Sequence, residues 1–182
     1  MVNAAEAVEE ARGNKRVALL IAALALALAL TEVAGDDAKT EAQLKNVESA
    51  NLWSFFQAKT VRQTTLRGLS DLLPLMTPRP GREDDAERML ERWRASIERW
   101  ESEPETNEGR RELMARAKRA EEERDEAMRL DGRFDAASAL LQVGIVMASA
   151  AIITGTAILI WAGAALGGAG ALLSLAAFLG FA

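Results

Sequence analysis

The sequence predicts an all-α integral membrane protein: three transmembrane helices, with an extramembrane helical hairpin or coiled-coil stalk between the first and second. Three observations predict it. The last 47 residues, Ala136 to Ala182, contain no Asp, Glu, Lys or Arg, although 27% of the chain is charged. At about 1.5 Å per residue that stretch is roughly two crossings of a hydrocarbon core about 30 Å thick. A second apolar run, Val17 to Leu30, follows Arg12, Lys15 and Arg16. In the charged middle of the chain, apolar residues recur at three- and four-residue steps, the helical period. The mean hydropathy of −0.02 averages the apolar and charged regions and so conceals both.

Residues 1–16 read as an N-terminal tail and 17–34 as the first span. Val17 to Leu30 is short for a crossing and fits a signal-peptide core, with Ala29-Leu30-Thr31 as a small-x-small cleavage site. The long charged lead favours a retained helix instead, lengthened by snorkelling of Lys15 and Arg16 and by inclusion of Thr31 to Ala34. Its alternating Ala and Leu are helix formers rather than strand formers.

Gly35-Asp36-Asp37 is the expected break on leaving this span, opening an extramembrane region over residues 36–133. There a first long helix is predicted to run to about Leu73 with Leu44, Val47, Phe55, Ala58, Val61, Leu66, Leu69 and Leu73 as its packing stripe. Pro74 ends it, and Thr77-Pro78-Arg79-Pro80-Gly81 reads as the linker at the far tip of a hairpin. Ala86, Leu90, Trp93, Ile97 and Trp100 then form a coiled-coil-type seam behind an acidic first turn. Ser102-Glu103-Pro104-Glu105 matches a capping box, so a third helix is expected to begin there or soon after. Its stripe is Leu113, Ala117, Ala120, Ala127 and Leu130. The first and third helices should lie antiparallel, giving a stalk roughly 40 Å tall. Asp131 to Asp135 is the predicted return to the membrane, followed by spans at 135–154 and 157–181 around a turn at Thr154-Gly155-Thr156.

Net charge is −5, of which residues 36–135 contribute −4, from 19 basic against 23 acidic residues. No basic surface for nucleic acid is implied. Cysteine and histidine are both absent, which removes disulfides, thiol and imidazole chemistry, and the usual zinc and haem ligands.

Two sets of residues stand out as candidate sites. Gly163, Gly167 and Ala171 are four apart, and Gly168 belongs to a parallel row. Gly144 and Ala148 on the second span offer a matching groove, so these small residues form a candidate helix-packing interface, within one chain or between subunits. The second set is the aromatic and basic cluster Trp53, Phe55, Phe56, Gln57, Lys59 and Arg62, to which the seam adds Trp93 and Trp100. Lys59 is placed for a cation–π contact with Phe55 or Phe56. This cluster reads as the stalk core, or as a partner-docking face.

Ser138, Gln142 and Ser149 form a polar line in the second span, which fits hydrogen bonding between helices better than a pore. Glu121-Glu122-Glu123 with Asp125 and Glu126 spread around a helix and read as a solvated face rather than a metal or acid–base site.

Trp53-x-Phe-Phe-Gln-Ala-Lys-x-x-Arg62 resembles the aromatic motif that follows the first span in a bacterial membrane-protein family called domain of unknown function 4337. Arg133-Phe134-Asp135-x-Ala-x-Ala-Leu-Leu-Gln142 is similar to that family's approach to the second span. The resemblance extends over nearly the whole chain from about residue 14. It implies three spans and no known activity.

The expected function is a non-enzymatic, self-associating or accessory structural subunit of a bacterial inner-membrane complex, multi-pass, with no cofactor and no metal. Its expected partners are membrane lipids and a second copy of itself or another membrane protein. Arg12, Lys15 and Arg16 favour a cytoplasmic N-terminus and a periplasmic stalk, against the pull of Lys118, Arg119, Arg124, Arg129 and Arg133. The alternative is an oligomeric channel or pore built on the polar line. An enzyme working with carboxylates alone is a third class, without a pocket-forming signal.

Overall fold

The computed structural model describes residues 4–76, 81 and 83–181, and it is helical, with no strand among those residues. All four prolines, Pro74, Pro78, Pro80 and Pro104, fall in the middle of the chain. On either side of them nothing removes a backbone donor or forces a kink, and the helices run long. Helix α1 spans Ala4–Leu72 and is followed by a 3-10 turn at Leu73–Leu75. Helix α2 spans Glu83–Glu101, α3 spans Arg110–Thr154 and α4 spans Ala157–Phe178.

Several expected boundaries move. The helix already runs through most of the stretch taken as a tail, and it does not break at Gly35-Asp36-Asp37. A glycine inside a helix costs only about 1 kcal/mol relative to alanine. At Gly35 the missing side chain makes room, because an added β-carbon would sit 3.2 Å from Phe134 Cβ. Helix α3 also passes through Asp131-Gly132 unbroken. The expected hairpin tip falls at Thr77 to Pro80, outside the described residues. Thr154-Gly155-Thr156 does turn the chain, with Gly155 at φ +65°.

The chain divides into two compact units, Met1–Ala42 with Asp125–Ala182, and Gln43–Arg124. In the first, α1 buries Val17, Leu24, Thr31, Gly35, Ala38 and Ala42 against parts of α3 and α4. Its core at one end is Ala38, Phe134 and Ala177, with Ala34 and Leu130 packed against it. The outer surface is apolar as well: Leu26, Ile153, Trp161 and Phe178 are 64 to 86% exposed. Helices α1, α3 and α4 each contain a stretch long and apolar enough to cross a membrane.

In the second unit α1 turns a face inward that shares Leu66 with the predicted stripe but otherwise departs from most of it. Leu44, Val47 and Val61 are exposed, while Ser49, Leu52, Lys59 and Gln63 are buried. The inward positions 45, 49, 52, 56, 59, 63, 66 and 70 alternate by four and three, a heptad face with Lys45 and Lys59 on it. The reason lies in the partner helix. The first turns of α3 offer Leu113, Ala117 and Ala120 for the apolar core, as predicted, and surround them with Arg110, Glu121 and Glu123. The α1 face that carries donors and acceptors for those groups wins over the more apolar one. The predicted α2 seam of Ala86, Leu90, Trp93, Ile97 and Trp100 is half-buried throughout.

The connection from α2 to α3 is not a capping box at Ser102, since α3 starts later, at Arg110. Glu112, in the first turn of α3, reaches back to accept from the Ser102 hydroxyl at 2.6 Å and from the Glu103 N–H at 3.2 Å. This holds the Glu112 carboxyl below its ordinary range, with the Ser102 bond as the largest cause. Gly109 is buried where the loop closes, and a β-carbon there would collide with the Glu103 backbone and the Glu112 carboxylate. Gly109→Ala is therefore expected to destabilise the second unit by about 1–3 kcal/mol, read as a lower thermal midpoint by circular dichroism of the full chain in micelles.

Candidate functional site

The small residues of the first unit meet backbone to backbone. A β-carbon added at Gly144 would lie 2.8 Å from both the Gly163 oxygen and the Gly167 nitrogen. One at Gly163 would lie 2.7 Å from the Gly144 oxygen and 3.0 Å from the Ala148 nitrogen. Ala148 is fully buried. Gly167 also receives Leu24 of α1, whose Cδ atoms would be 2.6 Å from an added β-carbon. Thus Gly144, Ala148, Gly163 and Gly167 are brought together within one chain. Gly168 has no atom within 4 Å of an added β-carbon, and Ala171 lines an apolar groove of about 500 Å³ between α1 and α4 with Leu30, Leu175 and Phe178.

The sequence reading missed Gly170, whose added β-carbon would be 2.8 Å from the Ala137 oxygen. Its signal was present: the inward positions of α4 are 163, 167, 170 and 177, a mixed four-and-three spacing, whereas the reading followed strict fours. Further along the α1–α4 contact, the buried Thr31 hydroxyl bonds the Ala27 carbonyl and pairs with Ser174 Oγ at 2.8 Å.

Gln142 and Ser138 line a polar cavity of about 390 Å³ with Thr31, Glu32, Asp36, Asp131 and Asp135, and Gln142 Nε2 lies 3.5 Å from Glu32 Oε1. Ser149 instead donates to the Ile145 carbonyl of its own helix.

In the second unit the aromatic cluster is split. Trp53 and Phe56 stack edge to face, centroids 5.4 Å apart, against the core of Leu52, Leu113, Ala117 and Ala120. The Trp53 indole N–H donates to Glu121 Oε1 at 2.8 Å. Phe55, Gln57 and Arg62 face outward, and Trp93 and Trp100 are half-buried on α2. Lys59 Nζ lies 5.1 Å from the Phe55 ring centroid and 3.8 Å from Glu103 Oε2. Arg110 takes the equivalent place over Phe56, also at 5.1 Å.

Around Arg110 the structure assembles a network that the sequence reading did not single out. Gln63, 1% exposed, donates to the Ile97 carbonyl at 3.1 Å and to Glu101 Oε2 at 3.0 Å, and its Oε1 accepts from Arg110 at 2.6 Å. Arg110 also donates to Glu101 Oε2 at 2.9 Å and to Thr60 Oγ1 at 3.1 Å, while Arg111 bonds Glu101 Oε1 at 3.3 Å. Three helices meet on one carboxylate. The Gln63 bond, opposed by desolvation and assisted by Arg110 and Arg111, holds the Glu101 carboxyl below its ordinary range. A carboxylate kept ionised by two guanidiniums is an anchor for helices rather than a proton donor at neutral pH.

Two carboxylates of the acidic run on α3 are spent in the same way. Glu123 pairs with Lys45 at 2.6 Å, a contact that raises the lysine above its ordinary value, and Glu121 holds Trp53. Among the described residues no group of three or more carboxylates is arranged to hold a metal.

The architecture is that of an all-helical protein whose three longest apolar stretches could each cross a membrane. The chain belongs to the family described as Domain of unknown function (DUF4337), whose family model matches residues 13–180. No curated protein and no solved structure matches it.

Two outcomes follow from this geometry. Gly144→Leu is expected to force α3 and α4 apart and destabilise the first unit by about 1–3 kcal/mol, whereas Gly168→Leu stays within about 0.5 kcal/mol, both read from denaturant titrations in micelles. For Glu101 the folded value is depressed, so its pairing stabilises at neutral pH and is lost as the pH falls through that lower value. Glu101→Gln should lower the thermal midpoint at neutral pH and flatten the decline on the acid side of the ordinary carboxylate range. An unchanged acid-side slope would mean that other carboxylates carry it.

Proposed function

We propose that this protein is a non-enzymatic structural subunit of a bacterial inner-membrane complex, self-associating or accessory to another membrane protein. The observation that carries the reading is where the chain spends its polar groups. Glu101, Glu112, Glu121 and Glu123 are all committed to partners on neighbouring helices or loops. Packing, rather than chemistry, accounts for each.

The membrane assignment rests on the surface of the first unit. Only 17 to 28% of the apolar windows of α1, α3 and α4 is buried. In water so large an apolar surface would be an aggregation hazard, and in a bilayer it is solvated. On this reading residues near 17–34, 136–154 and 157–178 cross the membrane, and the second unit is an extramembrane helical stalk. Lys15 and Arg16 favour a cytoplasmic N-terminus, which puts the stalk in the periplasm.

A second reading, an oligomeric channel, draws on the polar cavity lined by Gln142, Ser138 and Glu32. It requires ion flux in liposomes that Gln142→Leu alters by several-fold.

The test of the main reading is native mass spectrometry of the complex taken gently from membranes. A homo-oligomer, or a stoichiometric complex with a second membrane protein, is the expected result. A lone chain under conditions that preserve other membrane complexes would overturn it.

A further inference from the structure

The outward face of α1 in the second unit carries a second heptad seam. Positions 44, 47, 51, 54, 58, 61, 65, 68 and 72 alternate by three and four, and all are exposed. Leu44, Val47, Val61 and Leu72 on that line are 56 to 66% exposed. The charged residues of this stretch, Lys45, Glu48, Lys59, Arg62, Arg67 and Asp71, all lie off the seam. Lys59 is even buried on the opposite side. A face made for water is where charge costs least, and this helix places none there.

We propose that this seam is a contact between two copies of the chain, packed parallel along α1. The proposal rests on the self-association reading above and names its surface. The three-and-four spacing of uncharged positions runs for about four heptads, with Leu44, Val47, Ala58, Val61 and Leu72 as its apolar members. Ser54, Ala58 and Gly68 lie on the seam and let two backbones approach closely. Asn51 is the kind of single polar seam residue that pairs with its own copy and sets register. In parallel register Gln43 of one copy faces Glu48 of the other and Gln57 faces Arg62, so no like charges are opposed. Two copies inserted the same way in one bilayer also direct their α1 helices the same way.

A lipid surface fits the seam less well, since an interfacial helix presents a broad apolar face flanked by Lys and Arg. Here the line is narrow and includes Asn51, Ser54 and Thr65.

The chain has no cysteine, so single cysteines report cleanly. Asn51→Cys, Ala58→Cys and Gly68→Cys lie on the seam; Asn46→Cys and Arg67→Cys are exposed on the same helix but off it. After copper–phenanthroline oxidation of native membranes, the seam variants are expected to give at least about tenfold more disulfide-linked dimer than the controls, because disulfide geometry is strict. Adding Val61→Glu to Ala58→Cys should cut that yield by about tenfold at unchanged helicity. Equal or absent cross-linking in preparations whose native mass is still that of a homo-oligomer would overturn the seam while leaving self-association standing. A native mass of one copy, alone or with a different protein, would overturn both, and so would cross-linking of Ala58→Cys mainly to another protein.

Discussion

The structure depends on the uninterrupted alternation of three and four along the inward face of α1. From Val17 to Ser70 those positions keep one heptad phase, although what they meet changes completely. In the first unit they are small or apolar and receive Phe134, Ala177 and Gly167. In the second they mix polar with apolar residues and receive Arg110, Glu101, Glu103 and Glu123. A helix with no proline before Pro74 can hold such a phase.

Polar groups on that face are not defects in a core. Gln63 is nearly inaccessible, yet each of its side-chain polar atoms is bonded, and no buried side-chain polar atom among the described residues lacks a partner. Satisfaction of this kind makes the pairing of α1, α2 and α3 selective, because sliding one helix by a turn would strand Gln63, Glu101 and Arg110 together. Glycines do the equivalent task between α3 and α4, where no side chain is present to choose register. There the shapes of two backbones choose it, through Gly144, Gly163 and Gly167.

Some of this was legible in the residues. The Leu113, Ala117 and Ala120 stripe, the end of α1 ahead of Pro74, the turn at Gly155 and the family itself were all readable, because each depends on local propensity, spacing or motif. The α1 packing face in the second unit was not. Both candidate faces have helical spacing, and the more apolar one, Leu44 to Val61, is the exposed one. Gly35 misled for a related reason: a glycine signals a possible break, but a helix packed against its neighbours there carries the small cost. The Glu101 network escaped because its members, Gln63, Glu101 and Arg110, are far apart in sequence and unremarkable singly.

The sequence alone therefore determined helix content, the apolar stretches and the absence of cysteine and histidine chemistry, since composition and period act residue by residue. Only the tertiary structure decided which face of α1 turns inward, which glycines touch, and which glutamates are held by which arginines. Those choices turn on the partner helix: a buried donor or acceptor must be matched by a group from another element, and no single helix contains that information.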